Sequence, residues 1–336
     1  RDFPWEVEHI SLAKAADVFA VVPATANILG KYAHGMADDM LSTTLLATRA
    51  PVLFAPAMNT AMYEHPAVQE NITTLKRRGC LFVEPASGHL ACGDTGKGKL
   101  ADVEKIEQAI LDALTEKDMQ GMHVTVTAGP TREAMDPVRF LSNHSTGKMG
   151  YAIARSAKMR GAEVTLISGP VALEPLDGVR MIPVTSACDM REAVMQALPQ
   201  SDLVIKAAAV GDYRPATFQD DKIKKHDDDM SVSLVRNPDI LAEIGEKRRD
   251  DQVICGFSME TRDLLENSTK KLQKKNCDVI VANNLKVKGA GFAGDTNVVT
   301  LLYRNGKVEP LELMEKDSVA DILLERLVAL YRDKNA

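Results

Sequence analysis

Aromatic side chains are scarce here: Phe, Trp and Tyr make up 4% of 336 residues, with a single tryptophan. Proteins that grip single-stranded nucleic acid stack its bases on such rings, so that class of partner is disfavoured. Positive charge is not in excess either. Lys and Arg number 41 against 47 Asp and Glu, a net charge of −6. That balance speaks against a general binder of phosphate backbones, but it leaves room for local basic pockets that take small phosphorylated ligands. No apolar run approaches the ~18 residues of a membrane span, and no signal peptide is visible. The five cysteines (Cys80, Cys92, Cys188, Cys255 and Cys277) are odd in number and form no CxxC pair. A reducing cytoplasm, without disulfides or structural zinc, is the simple reading. Also missing are a GxxxxGK[ST] phosphate loop and, over Gly129–Gly150, the GxGxxG spacing of dinucleotide-binding folds. There is no internal repeat and no low-complexity segment.

What is present is length for two cores and two stretches of α/β rhythm. In the first, 17–22 (DVFAVV), 51–55 (PVLFA) and, more weakly, 80–83 read as buried strands, with helical patterns over 38–47 and 68–78 and a closing helix over 102–114. Residues 115–121 (TEKDMQG) are charged, lack an apolar period and end in Gly, which marks a joint. In the second stretch, strands are expected over 123–127, 164–168, 203–207, 253–257, 279–282 and 298–303. Helices are expected over 148–160 (ending at Gly161), 190–198, 240–247, 261–275 and 319–331. The expectation is an α/β protein of two domains, 1–119 and 120–336, the second a doubly wound open sheet that binds ligands past the carboxyl ends of its strands.

In the first stretch, His9-Ile10 precedes the first strand, and Pro56-Ala57-Met58-Asn59 follows the second. Cys92 opens a segment with three glycines in seven residues, Gly93, Gly96 and Gly98. Each has a plain reading: a surface histidine, an Asn that caps a helix, an inert thiol in an irregular connection. Taken in order with Pro23–Asn27 and Gly35–Asp39, however, they resemble the flavin-containing cysteine decarboxylase family over essentially all of residues 5–115. The resemblance implies a flavodoxin-like (Rossmann-type) domain with FMN. His9 is then the active-site base, Asn59 holds the substrate carboxylate, Cys92 donates a proton, and Thr25 and Asn27 lie against the flavin. Decarboxylation of an acylated cysteine leaves electrons that need a sink, which a flavin supplies, and a thiol on a glycine-rich flap suits proton delivery in a water-poor site. In that family a strand and a Gly-Ser-rich turn that binds the FMN phosphate precede the histidine. This sequence starts with Arg1, eight residues before His9, so the expectation is that an N-terminal piece is missing and that the full-length enzyme carries the decarboxylase chemistry.

In the second stretch, Gly129-Pro130-Thr131 follows the opening strand. Glu133, Asp136, Val138-Arg139, Asn143 and Ser145–Gly150 come next, the last opening a helix. Hydroxyls, glycines and a lysine at a helix start suit a phosphate, although a well-capped Rossmann-type helix reads the same way. Lys206-Ala207-Ala208 ends a strand before Asp212, a natural magnesium ligand. Lys222–Lys225 alone would be a solvated charged loop, and Lys271 and Lys275 alone would be surface charge on one helix face. Together with Asn237-Pro238-Asp239, Gly256-Phe257 and the stretch from Lys271 to Asn283, the set resembles the CTP-using phosphopantothenate–cysteine ligases over about 120–333. Gly211 stands where that family more usually has Ala.

That resemblance implies that Lys206, Ala207, Ala208, Asn237, Pro238, Asp239, Ile240, Leu241, Phe257, Lys271 and Lys275 contact CTP. Asp212 binds Mg²⁺ or the ribose region, Arg139 and Asn143 hold the acyl part, and Lys222 serves amide formation. The substrates implied are 4′-phosphopantothenate, cysteine and CTP, joined through an acyl-cytidylate. The fused order of both domains resembles the bifunctional coenzyme A biosynthesis enzymes, whose decarboxylase trimers are joined by ligase dimers. Competing readings are an NAD(P)-dependent Rossmann oxidoreductase, a non-catalytic flavoprotein-like regulatory subunit, and a ligase-only fragment with a decarboxylase remnant.

Overall fold

A computed structural model describes residues 7–89, 95–224, 230–260, 264–284 and 294–336. The chain divides into two compact units, one ending at Glu116 and the other beginning at Lys117.

In the first unit, β1 (Phe19–Ala24), β2 (Val52–Pro56) and β3 (Leu81–Phe82) form a parallel sheet in chain order. β2 is buried at every position because it lies in the middle with a layer on each face. Phe54 is fully buried, with the rings of Tyr32 and Phe82 at 5.7 and 5.4 Å, and Leu29, Leu45 and Leu75 close over it. β1 runs two residues beyond the expected strand, and its register shifts between Val21 and Ala24. Pro23, within that step, has no N–H to give the ladder. The helices are bounded by side chains the sequence supplies. Asp39 and Ser42 form a capping box at Met40–Ala47, and His65 caps Pro66–Arg77 with proline at its first position. A helix over Ala26–Ala33 and an antiparallel hairpin, Ala86–His89 with Thr95–Lys99, were not expected from the sequence.

Among the described residues, the main sheet of the second unit has eight strands. They are β4 (His123–Ala128), β5 (Glu163–Ser168), β6 (Arg180–Pro183), β7 (Leu203–Lys206), β8 (Val253–Glu260), β9 (Val279–Asn284), β10 (Val299–Tyr303) and β11 (Val308–Pro310). Their order across the sheet is β6-β5-β4-β7-β8-β9-β10-β11. All neighbours up to β9 are parallel, and the last two strands are antiparallel. Alternate residues of each central strand face opposite layers, so both faces are covered. Leu203, Ile205, Val253 and Cys255 pack with the helices Lys148–Met159 and Lys316–Asn335, while Val204 and Ile254 pack with Met190, Ile244 and Leu272. This is the doubly wound arrangement expected. The segment read as a joint is partly packed: Met119 is fully buried and Asp118 pairs with Arg160.

Candidate functional sites

In the first unit, Thr25, Asn27 and Asn59 stand where the strands β1 and β2 end. Thr25 follows β1 and accepts from Ile28 N (3.4 Å), opening the helix that carries Asn27. Asn59 follows β2 and accepts from Ala61 N (2.9 Å). The two strand ends are tied by Ala57 N donating to Ala24 O (3.1 Å). Asn59 is therefore a helix cap as well as a candidate ligand. His9 stands at the start of the helix Glu8–Ala15. The other end of that helix, at Ala13, accepts from Thr48 Oγ1 (3.1 Å), shortly before β2 begins. Thr25 and Asn59 share one edge, at the carboxyl ends of β1 and β2. The hairpin docks on the same edge, where Met58 N donates to Gly98 O (3.0 Å). A Cβ on Gly98 would sit 2.3 Å from Met58 O, and one on Gly96 would sit 2.7 Å from the side chain of Thr60, so only glycine permits this approach. Below it, Glu84 accepts from Tyr63 Oη (3.1 Å), Lys76 (2.8 Å) and Lys97 (2.8 Å). The two lysines hold its carboxyl down at about 2. Cys92, between the hairpin strands, lies outside the described residues.

In the second unit, the sheet order reverses between β4 and β7. Chain leaving β4 turns one way and chain leaving β7 the other, so a crevice must open above that pair. Its floor is cross-tied. Ala209 N donates to Gly129 O (2.9 Å), Ala208 N to Thr127 Oγ1 (3.1 Å), Gly211 N to the buried Thr131 Oγ1 (2.9 Å), and Asn143 Nδ2 to Ala209 O (3.1 Å). One wall is the start of the helix Lys148–Met159. Gly147 there takes φ +80°, and Gly150 packs so closely on β4 that a Cβ would lie 2.6 Å from that of Ala128.

The resulting cleft, about 500 Å³, is lined by Asn143, Lys206–Ala208, Asp212, Phe257 and Lys271 among others. It continues into a recess of about 400 Å³ lined by Asn237–Leu241 and Lys275. Lys206, Asp212 and Lys271 line both. Asn237 holds the loop by donating to Gly211 O (2.8 Å), and Asp239 caps the helix Ile240–Lys247 and pairs with Lys275. Burial opposes ionisation of Asp239, but the Lys275 ammonium keeps it below the usual carboxylate range. Lys271 donates to Phe257 O (2.9 Å). Burial, reinforced by Lys271, lowers Lys206 from 10.5 to about 8. Asp239 and Asp212 offset part of this; a half-buried ammonium near a second cation suits an anion, so the cleft floor can take a phosphate.

Arg139 and Lys222 are not in this cleft. Arg139 donates to Ile223 O (2.7 Å), next in sequence to Lys222, which lines a separate recess of about 530 Å³ with Met135 and Met230. The cleft also contains residues that the sequence reading gave no role. Lys316 is 6% exposed and opens the last helix, donating to Gly294 O, and Asn297 and Asn283 lie nearby. Asn283 is 7% exposed, and its Oδ1 has no partner among the described residues. No three His, Cys, Asp or Glu converge as a metal cluster among the described residues.

A flavoprotein-type unit followed by a unit with a cleft at its switch point defines a two-domain α/β enzyme, and comparison with known proteins agrees. Residues 2–115 match the Flavoprotein family, and residues 119–331 match the family described as DNA/pantothenate metabolism flavoprotein C-terminal domain. The chain is 51% identical over 333 residues to the coenzyme A biosynthesis bifunctional protein CoaBC of Bacillus subtilis (strain 168), covering 98% of this chain and 82% of that one. It is 43% identical over 336 residues to a cysteine/cysteine sulfinic acid decarboxylase of an unknown prokaryotic organism, covering 98% and 93%. The crystal structure of the C-terminal domain of a CoaBC protein superposes with a TM-score of 0.57 at 43% identity, covering 65% of this chain and all of that one. The chain belongs to the CoaBC family of bifunctional coenzyme A biosynthesis proteins.

Proposed function

We propose that the chain joins cysteine to 4′-phosphopantothenate with CTP and decarboxylates the product to 4′-phosphopantetheine. The observation that carries the ligase half is the pair of Lys206, at the end of β7 where the sheet order reverses, and Lys271, which lines the same cleft. Attack of the substrate carboxylate on the α-phosphorus of CTP gives an acyl-cytidylate and pyrophosphate. The cysteine amine then displaces CMP. Negative charge builds on phosphate oxygens in both steps, and fixed ammonium groups stabilise it. In this reading Asn237–Leu241, Phe257, Lys271 and Lys275 hold the nucleotide, and Arg139 and Asn143 hold the acyl part. Lys222 acts on the second step. Asp212 would hold Mg²⁺, which would offset the charge of the phosphates, or meet the ribose region, in keeping with a site that offers one or two carboxylates rather than a full cage.

For the decarboxylase half, Thr25 and Asn27 would lie against FMN, which supplies the electron sink. His9 takes a proton, Asn59 orients the carboxylate and Cys92 returns a proton. The glycine-only contact of the hairpin with Met58 and Thr60 supports a closely fitted edge there. Among the described residues no helix is long and apolar enough to cross a membrane. A cytoplasmic homo-oligomer, with decarboxylase units in trimers and ligase units in dimers, is the assembly proposed. The test is a pyrophosphate assay with 4′-phosphopantothenate, cysteine, Mg²⁺ and CTP, alongside a flavin absorbance spectrum. Pyrophosphate release that ignores 4′-phosphopantothenate would defeat the reading.

A further inference from the structure

Asp136 is a motif residue without a role in the chemistry above, yet it is one of the most heavily used carboxylates in the second unit. Its side chain has no exposed surface. Oδ1 accepts from the backbone N–H groups of Val138 (2.8 Å) and Arg139 (2.8 Å). Oδ2 accepts from Arg139 Nε (2.9 Å), Arg139 Nη2 (2.5 Å) and Ile223 N (3.1 Å). The Arg139 fork closes the ring by donating from Nη2 to Ile223 O (2.7 Å). A buried carboxylate with five donors has its acceptor sites filled, so it has nothing left for substrate or metal.

We infer that Asp136 is the positioning residue of the ligase site. It clamps the Val138–Arg139 turn to the loop carrying Lys222, so that groups 83 residues apart in sequence move as one body. The turn leads through Phe140–Ser142 directly to Asn143, which donates to the cleft floor at Ala209 O. The clamp therefore sets where Lys222 stands relative to the cleft. Gln219 N, which donates to Met135 O (3.0 Å), is a second tie between the same two segments. Burial opposes the charge on Asp136, but the guanidinium and three backbone N–H groups hold it well below the ordinary carboxylate range, so the clamp stays closed at neutral pH.

This inference rests on the reading of Lys222 as a ligase group, and a double-mutant cycle separates the two. Asp136→Asn keeps the volume but must aim an NH₂ at one of the two sets of donors. In single turnover with CTP and 4′-phosphopantothenate, Asp136→Asn should release pyrophosphate more slowly than the parent protein, because it also loosens Arg139, so the amide step is followed separately. On addition of cysteine it should form amide roughly 10- to 100-fold more slowly, the range seen when a supporting partner of a functional group is removed. Lys222→Gln should also slow amide formation, and the double variant should be no slower than Lys222→Gln alone, because Asp136 acts through Lys222. Losses that multiply would overturn the clamp while leaving the role of Lys222 intact. A fully active Lys222→Gln would sink both. Should Asp136→Asn fail to fold, Asp136→Glu replaces it in the cycle: it keeps the charge, but its longer side chain cannot accept from the Val138–Arg139 turn and from Ile223 N together, and multiplying losses would again refute the clamp.

Discussion

The two units solve the same problem with different materials. In the second, the sheet order reverses, and the crevice this opens collects side chains from Asn143 to Lys316. Its loops are fixed by buried struts such as Thr131 and Asp136. In the first, the described strands run in chain order, and the candidate groups stand along one edge, held mainly by helix caps at Thr25 and Asn59 and by the glycine contacts of the hairpin. A crevice built on struts presents a preorganised charge site. An edge built on caps depends on what closes over it. The two activities should accordingly fail separately and respond differently to pH.

The largest separation is expected from Cys92→Ser. It should still lose CO2 from 4′-phosphopantothenoylcysteine but make no 4′-phosphopantetheine, while ligation stays at the parent rate; product analysis by mass spectrometry decides this. His9→Asn should block the reaction before CO2 appears. Normal 4′-phosphopantetheine formation in Cys92→Ser would remove the thiol from the chemistry.

Within the ligase unit, Asn143→Asp and Lys222→Gln should damage different steps. Asn143 touches the cleft floor, so its replacement by a carboxylate should suppress pyrophosphate release roughly 10²- to 10³-fold, as expected for a lost polar contact in the reacting site. Lys222→Gln should spare that release. Equal loss of both steps in the Lys222 variant would count against a two-stage assignment.

A pH difference of smaller size follows from Lys206. Its folded pKa, about 8, is below the 10.5 of a free lysine. Burying the ammonium costs stability below pH 8, and that cost fades as pH rises from about 8 toward 10.5. The nucleotide responds in the opposite sense. The cation is lost through pH 8, so CTP affinity should weaken by up to about tenfold per unit above it. Binding near pH 8 should take up a proton, seen as a buffer-dependent enthalpy in calorimetry. A CTP affinity that is flat from pH 7 to 9 would mean Lys206 does not meet the anion. The smallest effect is on stability. Gly150→Ala places a methyl against Ala128 and should cost about 1–3 kcal/mol, read as a lower melting transition with the decarboxylase rate unchanged.

Much of this fold was legible because buried parallel strands are written as short apolar runs. β4, β7, β8 and β9 begin where expected and end within a few residues of the expected position. The elements missed are those without that signature. β6 (RMIP) and β11 (VEP) are edge strands whose ends carry Arg or Pro. The helix Ala26–Ala33 is eight residues long with a glycine inside it. For the site, the positions at strand ends could be placed because the carboxyl edge is where doubly wound sheets bind. Lys316 could not: in sequence it is one charge in a Glu-Lys-Asp run, and only the antiparallel return of the last strands brings its helix start back to the cleft. The clamp at Asp136 was equally hidden, since no local pattern joins residue 136 to residue 223.

The central claim is that the switch-point cleft activates the substrate carboxylate with CTP, independently of the flavoprotein unit. A single-turnover experiment on Lys271→Ala tests it most directly, measuring pyrophosphate from CTP and 4′-phosphopantothenate without cysteine, and CO2 from 4′-phosphopantothenoylcysteine, on the same sample. The parent protein should release pyrophosphate and the variant should not, with CO2 release equal in the two. Pyrophosphate release at the parent rate in the variant, or loss of both activities together, would contradict it.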